Sequence, residues 1–313
     1  MSGRLRLGEE VAAARAGGGP VVALETSVIG QGLPYPRNVE CLERMSAAIR
    51  TAGAIPAWTG VLSGEVIVGL TEGELTGFTE PGRARKVARR DLPAACARGG
   101  PGATTVSATI WAAARAGIGV SATGGIGGVH PGRHPDVSAD LLELARRPGM
   151  LVCSGPKSIV DPVITVERLE ELGVSLIGYR VDRLPFFLAS EAPVQLEHSV
   201  ASPEEAAGVL AAAIALDVRS ALLLCNPIPP EHAMEAAEVA AAARRCEERA
   251  RNEGVRSRDR TPFLLSCLAE ETDGRSLDAN LALLGSNAAL AGQIASAFAA
   301  RDPSRPGASG TAT

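Results

Sequence analysis

Short apolar runs alternate with Ala-rich stretches along most of the chain. Residues 21–24, 65–70, 117–122, 150–153, 176–179 and 221–225 are apolar segments ended by Gly, Pro, Ser or Asn, the pattern of buried strands. Helical segments lie between them. The clearest is 203–217, with Ser202 at the cap, Pro203 in the first turn and Glu205 three residues after the cap. This βαβ rhythm predicts a three-layer α/β/α fold with a largely parallel, partly mixed central sheet. Residues 261–300 read as helical, and the Pro/Gly/Ser/Thr-rich stretch 301–313 reads as a disordered tail. No internal repeat or linker breaks the pattern, so a single α/β domain is expected over residues 1–300.

Composition narrows the function. With 46% hydrophobic and 21% charged residues, the chain has the balance of a globular protein with a sizeable core. Its 31 basic and 35 acidic residues leave a formal charge of −4, which offers no broad basic surface to a nucleic-acid polymer or an anionic membrane. Residues 1–10 are charged and lack an apolar targeting core, and no uninterrupted apolar run of about 18 residues follows, so a cytoplasmic protein is expected. The six cysteines (Cys41, Cys96, Cys153, Cys225, Cys246 and Cys267) lie far apart without a Cys-x-x-Cys pair, and read as reduced, mostly buried thiols.

Only Lys86 and Lys157 are lysines; the other basic residues are arginines. Arg replaces Lys at most solvated positions but cannot become a neutral amine nucleophile, so the two lysines are the first candidates for chemistry. Lys157 follows the apolar run 150–153, where desolvation disfavours the ammonium form; the alternative is a point charge for a phosphate. Lys86 sits in a basic segment that suits phosphate binding or simple solvation.

Glu25 directly follows the apolar run 21–24, where poor solvation favours the protonated form a general acid needs; capping a helix or pairing with an Arg would explain it equally well. Thr123-Gly124-Gly125-Ile126-Gly127-Gly128 follows 117–122, and its glycines permit main-chain amides to converge on a phosphate, or simply a tight turn. Asp136 or Ser138 caps a following amphipathic helix. Together with Asp140 they offer the hard oxygens of a hydrated divalent cation, or capping alone.

These segments carry a resemblance. Ala23-Leu24-Glu25, Gly32-Leu33-Pro34-Tyr35-Pro36, Arg89-Arg90-Asp91-Leu92-Pro93, Gly102-Ala103-Thr104-Thr105-Val106, Ala122 through His130, Ser138-Ala139-Asp140-Leu141, Lys157-Ser158-Ile159, Asn226-Pro227-Ile228-Pro229 and Thr261-Pro262-Phe263-Leu264-Leu265 occur in order between about residues 7 and 300. They resemble the signature blocks of the pseudouridine-5′-phosphate glycosidases, of the indigoidine synthase A-like fold. The resemblance implies reversible cleavage of the C-glycosidic bond of pseudouridine 5′-phosphate to uracil and ribose 5-phosphate. It implies Glu25 as proton donor, Lys157 as the nucleophile bonding to C1′, and substrate contacts at Lys86, Val106, Thr123, Ser138, Ala139, Asp140 and Asn280. It further implies a divalent metal, usually Mn2+, at Asp136, no organic cofactor, and a homotrimer.

The chain departs from the pattern at Gln31, where many members have His, so a proton shuttle there would be lost. Two other readings use the same lysine and phosphate turn: a Schiff-base aldolase acting on a sugar phosphate, and a non-catalytic phosphosugar-binding protein.

Overall fold

The computed structural model describes residues 4–132, 136–255 and 259–301. The expected tail, except Arg301, lies outside the described residues. The chain runs through β1 (Leu5–Leu7), α1 (Glu9–Ala16), β2 (Val21–Glu25), α2 (Arg37–Thr51), β3 (Ile55–Leu62), β4 (Glu65–Val68) and α3 (Glu72–Thr79). Next come β5 (Arg85–Val87), α4 (Leu92–Arg98), β6 (Gly102–Thr104), α5 (Val106–Arg115), β7 (Val120–Ala122), α6 (Ala139–Leu144), β8 (Gly149–Cys153) and α7 (Pro162–Glu171). The remainder is β9 (Ser175–Tyr179), β10 (His198–Val200), α8 (Pro203–Ala215), β11 (Ala221–Cys225), α9 (Ala236–Asn252), α10 (Arg260–Glu271) and α11 (Arg275–Ala300).

The strands form one mixed sheet in the order β1-β4-β3-β2-β7-β8-β11-β9-β10, with β6 on β3 and β5 on β6. From β2 to β10 every neighbouring pair is parallel, while β4 and β6 run antiparallel to β3. The layers follow from side-chain alternation. Val22 and Leu24 of β2 join the core under α2, α8 and α11, while Val21 and Ala23 face α1 and α5. In β8, Met150 and Val152 point to the α11 side and Leu151 and Cys153 to the α6 and α7 side. Strands buried on both faces read as continuous apolar runs, and for that reason they were visible in the sequence.

Strand β3 was not visible. Its run Ile-Pro-Ala-Trp-Thr-Gly-Val-Leu holds a Pro that argues against a central strand. The ladder tolerates it because β4 joins β3 only from Thr59 onward, so among the described residues one edge of β3 has no neighbouring strand at Pro56. Two expected strands are shorter than anticipated: Gly117 at φ 70° closes the turn before β7, and Gly69 at φ 95° ends β4.

The expected helix from Ser202 begins as read, with Ser202 Oγ accepting the Glu205 N–H, although the Glu205 carboxylate takes the amide of Ala201. The stretch 261–300 needs correction: it breaks into α10 and α11 at Asp273 and Gly274, both with positive φ. The cysteine reading needs one too. Cys246 on α9 and Cys267 on α10 form a disulfide, and the other four are free and buried. A pairing set by two packed helices leaves no Cys-x-x-Cys spacing to find. By length and composition α11 would pass for a membrane span, but 67% of that window is buried against α2, α8 and the sheet, as in a core helix.

Candidate active site

The parallel strands β2, β7 and β8 end at one edge of the sheet, and a cleft opens there, where α/β sheets place their ligand sites. Glu25 closes β2, Thr123 follows β7, Lys157 stands four residues beyond β8 on the Ser154-Gly155-Pro156 turn, and Lys86 comes in on β5. All four line the cleft, as do Val106, Ser138, Ala139, Asp140, Asn280 and Asp136. Strand ends, helix starts and the long C-terminal helix thus bring residues between 25 and 280 to one cleft.

Glu25 is 6% exposed, and both of its oxygens are engaged by hydroxyls. Ser27 Oγ donates to Oε2 at 2.5 Å and Thr123 Oγ1 donates to Oε1. The capping and arginine-pair alternatives for Glu25 do not describe this arrangement. Thr123, expected to contact the substrate, lines the cleft and donates its hydroxyl hydrogen bond to Glu25.

The glycine turn is partly committed within the protein. The N–H of Ile126 goes to Gly155 O, that of Gly127 to Asp140 Oδ2 and that of Val129 to Thr165 Oγ1. Of these amides only that of Gly127 meets an anion, the Asp140 carboxylate, whose other oxygen accepts from Ser107 N in the first turn of α5. Space, not backbone freedom, requires the glycines. A Cβ at Gly127 would stand 2.4 Å from Ser138 Oγ, and one at Gly125 would stand 2.7 Å from the Phe187 ring and 2.9 Å from Gly155 O. The turn's carbonyls face the lysine: Lys157 Nζ donates to Gly125 O, and Lys157 N to Ile126 O.

Lys86 is the cation left free for a ligand, since its Nζ has no hydrogen-bond partner among the described residues. Burial pushes its ammonium below the usual lysine range, and the nearby Lys157 charge adds to this, against Asp140 and Glu25. In the folded state Lys86 binds its proton less tightly than in the unfolded chain, so its cost is absent above the usual lysine range and grows as pH falls toward the lowered folded value. Lys86→Met is accordingly expected to raise the urea midpoint more at pH 7 than at pH 10.5, while raising KM; an unchanged midpoint at pH 7 contradicts it.

Ser138, not Asp136, caps α6, with its Oγ accepting from Asp140 N. Asp136 is exposed at the rim, and its carbonyl accepts from His130 N. Among the described residues no three His, Cys, Asp or Glu side chains are grouped to hold a metal. With Asp140 committed to two amides, Asp136 is the remaining carboxylate of that segment. One exposed carboxylate does not make a caged ion site, and a hard cation there would need water and a bound ligand for its remaining oxygens.

The sequence reading missed Ser27, Asn287 and the partners of His130. Asn287, fully buried on α11, donates to Thr123 O at 2.9 Å and to Ser154 Oγ at 3.1 Å, and accepts from Asn226 Nδ2 at 2.9 Å. It thereby ties together the ends of β7, β8 and β11. Its signal was present, because it lies seven residues from Asn280 on the same face of a largely apolar helix. Gln31 sits on a π-turn (Val28–Gly32) and donates to Ala84 O at 2.8 Å, anchoring the segment that leads into the Lys86 strand.

A buried carboxylate and two lysines at the carboxyl edge of a mainly parallel sheet define an enzyme of the α/β class. The chain belongs to the indigoidine synthase A-like family, whose model matches residues 10–297. It is 44% identical to a pseudouridine-5′-phosphate glycosidase of Sorangium cellulosum, covering 94% of this chain and 93% of that protein. It is 45% identical to one of Herpetosiphon aurantiacus, covering 94% and 98%. Among solved structures, an indigoidine synthase A-like protein of Thermotoga maritima superposes with a TM-score of 0.86 at 37% identity, covering 95% and 97%. The prealnumycin C-glycosynthase AlnA, solved with ribulose 5-phosphate, gives 0.86 at 36% identity, covering 96% and 98%.

Proposed function

We propose that the protein is a pseudouridine-5′-phosphate glycosidase, releasing uracil and ribose 5-phosphate through an imine at Lys157. The observation that carries this reading is the name shared by relatives 44–45% identical over nearly their whole length, together with Glu25 and Lys157 facing one cleft. The second solved neighbour, a C-glycosynthase, supports chemistry at a carbon–carbon glycosidic bond.

The bond explains the residues. Uracil attached through carbon is a poor leaving group, and a pair of carboxylates does not address that difficulty. In the route we propose, Glu25 gives a proton to the ring oxygen as the C1′–O4′ bond opens with electrons from uracil. The amine of Lys157 adds at C1′, and C5 of uracil takes up a proton. The C1′–C5 bond then breaks, with the nitrogen lone pair forming the imine and the bonding electrons leaving with uracil. Water hydrolyses the imine, restoring the amine and releasing ribose 5-phosphate. Lys86 holds the phosphate and supplies binding energy away from the reacting bond. Asn280, 7% exposed and without a side-chain partner among the described residues, offers both a donor and an acceptor to the uracil edge. Asp136 would hold a divalent ion such as manganese, which when bound would neutralise phosphate charge.

A single domain over residues 1–300, a homotrimer and a cytoplasmic location belong to the same proposal. The deciding assay follows uracil and ribose 5-phosphate released from pseudouridine 5′-phosphate, with and without chelator, against unphosphorylated pseudouridine. Release from the phosphate, with kcat/KM lower by about 10²-fold or more on the nucleoside, is expected. Turnover of sugar phosphates without uracil release would favour the aldolase, and binding without turnover the non-catalytic protein.

A further inference from the structure

The glycine turn, the loop that carries Lys157 and the segment 184–189 between β9 and β10 run side by side at the Lys157 end of the cleft. Ser154 N donates to Gly124 O at 2.8 Å and Ile126 N to Gly155 O at 3.1 Å, which joins the turn to the lysine loop. The segment 184–189 grips that loop on both sides of Lys157. Phe187 N donates to Ser154 O at 2.7 Å, and the Ser158 hydroxyl lies 3.4 Å from Phe186 O and from Leu188 N. The contact is close: a Cβ on Gly155 would stand 2.0 Å from Pro185 O.

Phe187 holds its place in this segment with the backbone turned left-handed, at φ 54°. Among the described residues the other non-glycine positions with positive φ are Ser63, Arg180, Asp217 and Asp273, all of them exposed. Phe187 is 2% exposed. A bulky side chain rarely adopts this conformation, and such strain persists only where the surroundings over-determine it. Gly or Asn would take it at little cost, so the turn itself does not call for a ring. The neighbours of the ring call for it instead. It lines the cleft and lies against Gly125, where an added Cβ would stand 2.7 Å from it. The carbonyl of Gly125 is the acceptor of Lys157 Nζ.

We propose that Phe187 is a positioning residue for Lys157: its ring, pressed on Gly125, fixes the carbonyl that anchors the amine in the cleft. This rests on the reading above in which Lys157 forms the imine. Without the ring the glycine turn gains room to shift, and the amine loses its fixed anchor. Lys86 and Asn280 keep their places on other elements. The loss therefore falls on imine formation and not on binding, since displacing a reacting atom by about 1 Å is enough to slow a reaction on the order of 10²-fold.

The test compares the wild type, Phe187→Ala and Phe187→Leu in calorimetric affinity for ribose 5-phosphate, in the rate of borohydride trapping at saturating ribose 5-phosphate, and in kcat for uracil release. In the trap the Lys157 amine condenses with the C1′ aldehyde and loses water. Borohydride then gives a hydride to C1′ of the protonated imine, whose nitrogen keeps its proton, and a secondary amine remains. Phe187→Ala should slow trapping and uracil release together by about 10²-fold and weaken affinity by about threefold or less. Phe187→Leu, which keeps apolar bulk against Gly125, should be only about fivefold slower, with unchanged affinity. An unchanged trapping rate in Phe187→Ala overturns the proposal, as does a fall in affinity as large as the fall in rate, which would mark a merely structural residue. No adduct on Lys157 of the wild type overturns it too. If Phe187→Ala does not fold, the loss in Phe187→Leu at unchanged affinity supports the proposal and its absence contradicts it. A wild type that forms the Lys157 adduct but releases no uracil defeats the glycosidase reading, while the trapping comparison still decides this one.

Discussion

Lys157→Arg is expected to abolish uracil release, lowering kcat by on the order of 10⁴-fold or more, while ribose 5-phosphate binding survives. The guanidinium keeps the charge and can still donate to the glycine-turn carbonyl that Lys157 meets at Gly125, but it cannot lose a proton and form an imine. The experiment matters because Lys86 is a physical rival. Burial and the neighbouring Lys157 charge lower the Lys86 ammonium, a property useful to an amine nucleophile. Position argues for Lys157, which follows a strand end and is held by the turn. Borohydride trapping with ribose 5-phosphate separates the two: added mass on Lys157 is expected. Label found only on Lys86, or substantial turnover by Lys157→Arg, would exchange their roles.

Glu25→Gln is the second large effect, expected to cost about 10²–10⁴-fold in kcat with little change in KM, the range for loss of a general acid. The amide keeps the shape but cannot deliver a proton. It also cannot accept from both Ser27 and Thr123, whose hydroxyls engage the two carboxylate oxygens. Thr123→Val should therefore cost less than Glu25→Gln, because it removes one orienting bond and leaves the acid. A Glu25→Gln variant with near wild-type kcat would move proton delivery elsewhere in the cleft. A large rise in KM with unchanged kcat would make Glu25 a binding residue.

The roles that the sequence assigned most readily were those set by a strand end. Glu25 and Lys157 follow apolar runs, and residues in that position reach the open edge of a parallel sheet whatever the details of the loops. The contacts it did not show depend on loop crossings. Thr123 follows β7 in the sequence, but only the pairing of β7 with β2 sets its hydroxyl on Glu25. The glycine turn resembled an anion cradle, and only the fold showed that one of its amides, that of Gly127, is taken by Asp140, which is delivered by α6 and also caps α5. Asp136 and Ser138 were interchangeable as caps until the structure put the Ser138 hydroxyl on Asp140 N.

The sequence by itself determined the architecture and the chemical inventory. Continuous apolar runs require strands buried on both faces, and just two amines existed to choose between. Tertiary structure alone decided which groups touch. It placed Pro56 within a central strand where one edge lacks a neighbour, joined Cys246 to Cys267 across two helices, and set His130 against Glu247 117 residues away. The physical reason is one of range. Burial and backbone preference act on neighbouring residues and leave periodic marks in the chain. Hydrogen bonds and desolvation act over a few ångströms between segments that only the folded sheet brings together.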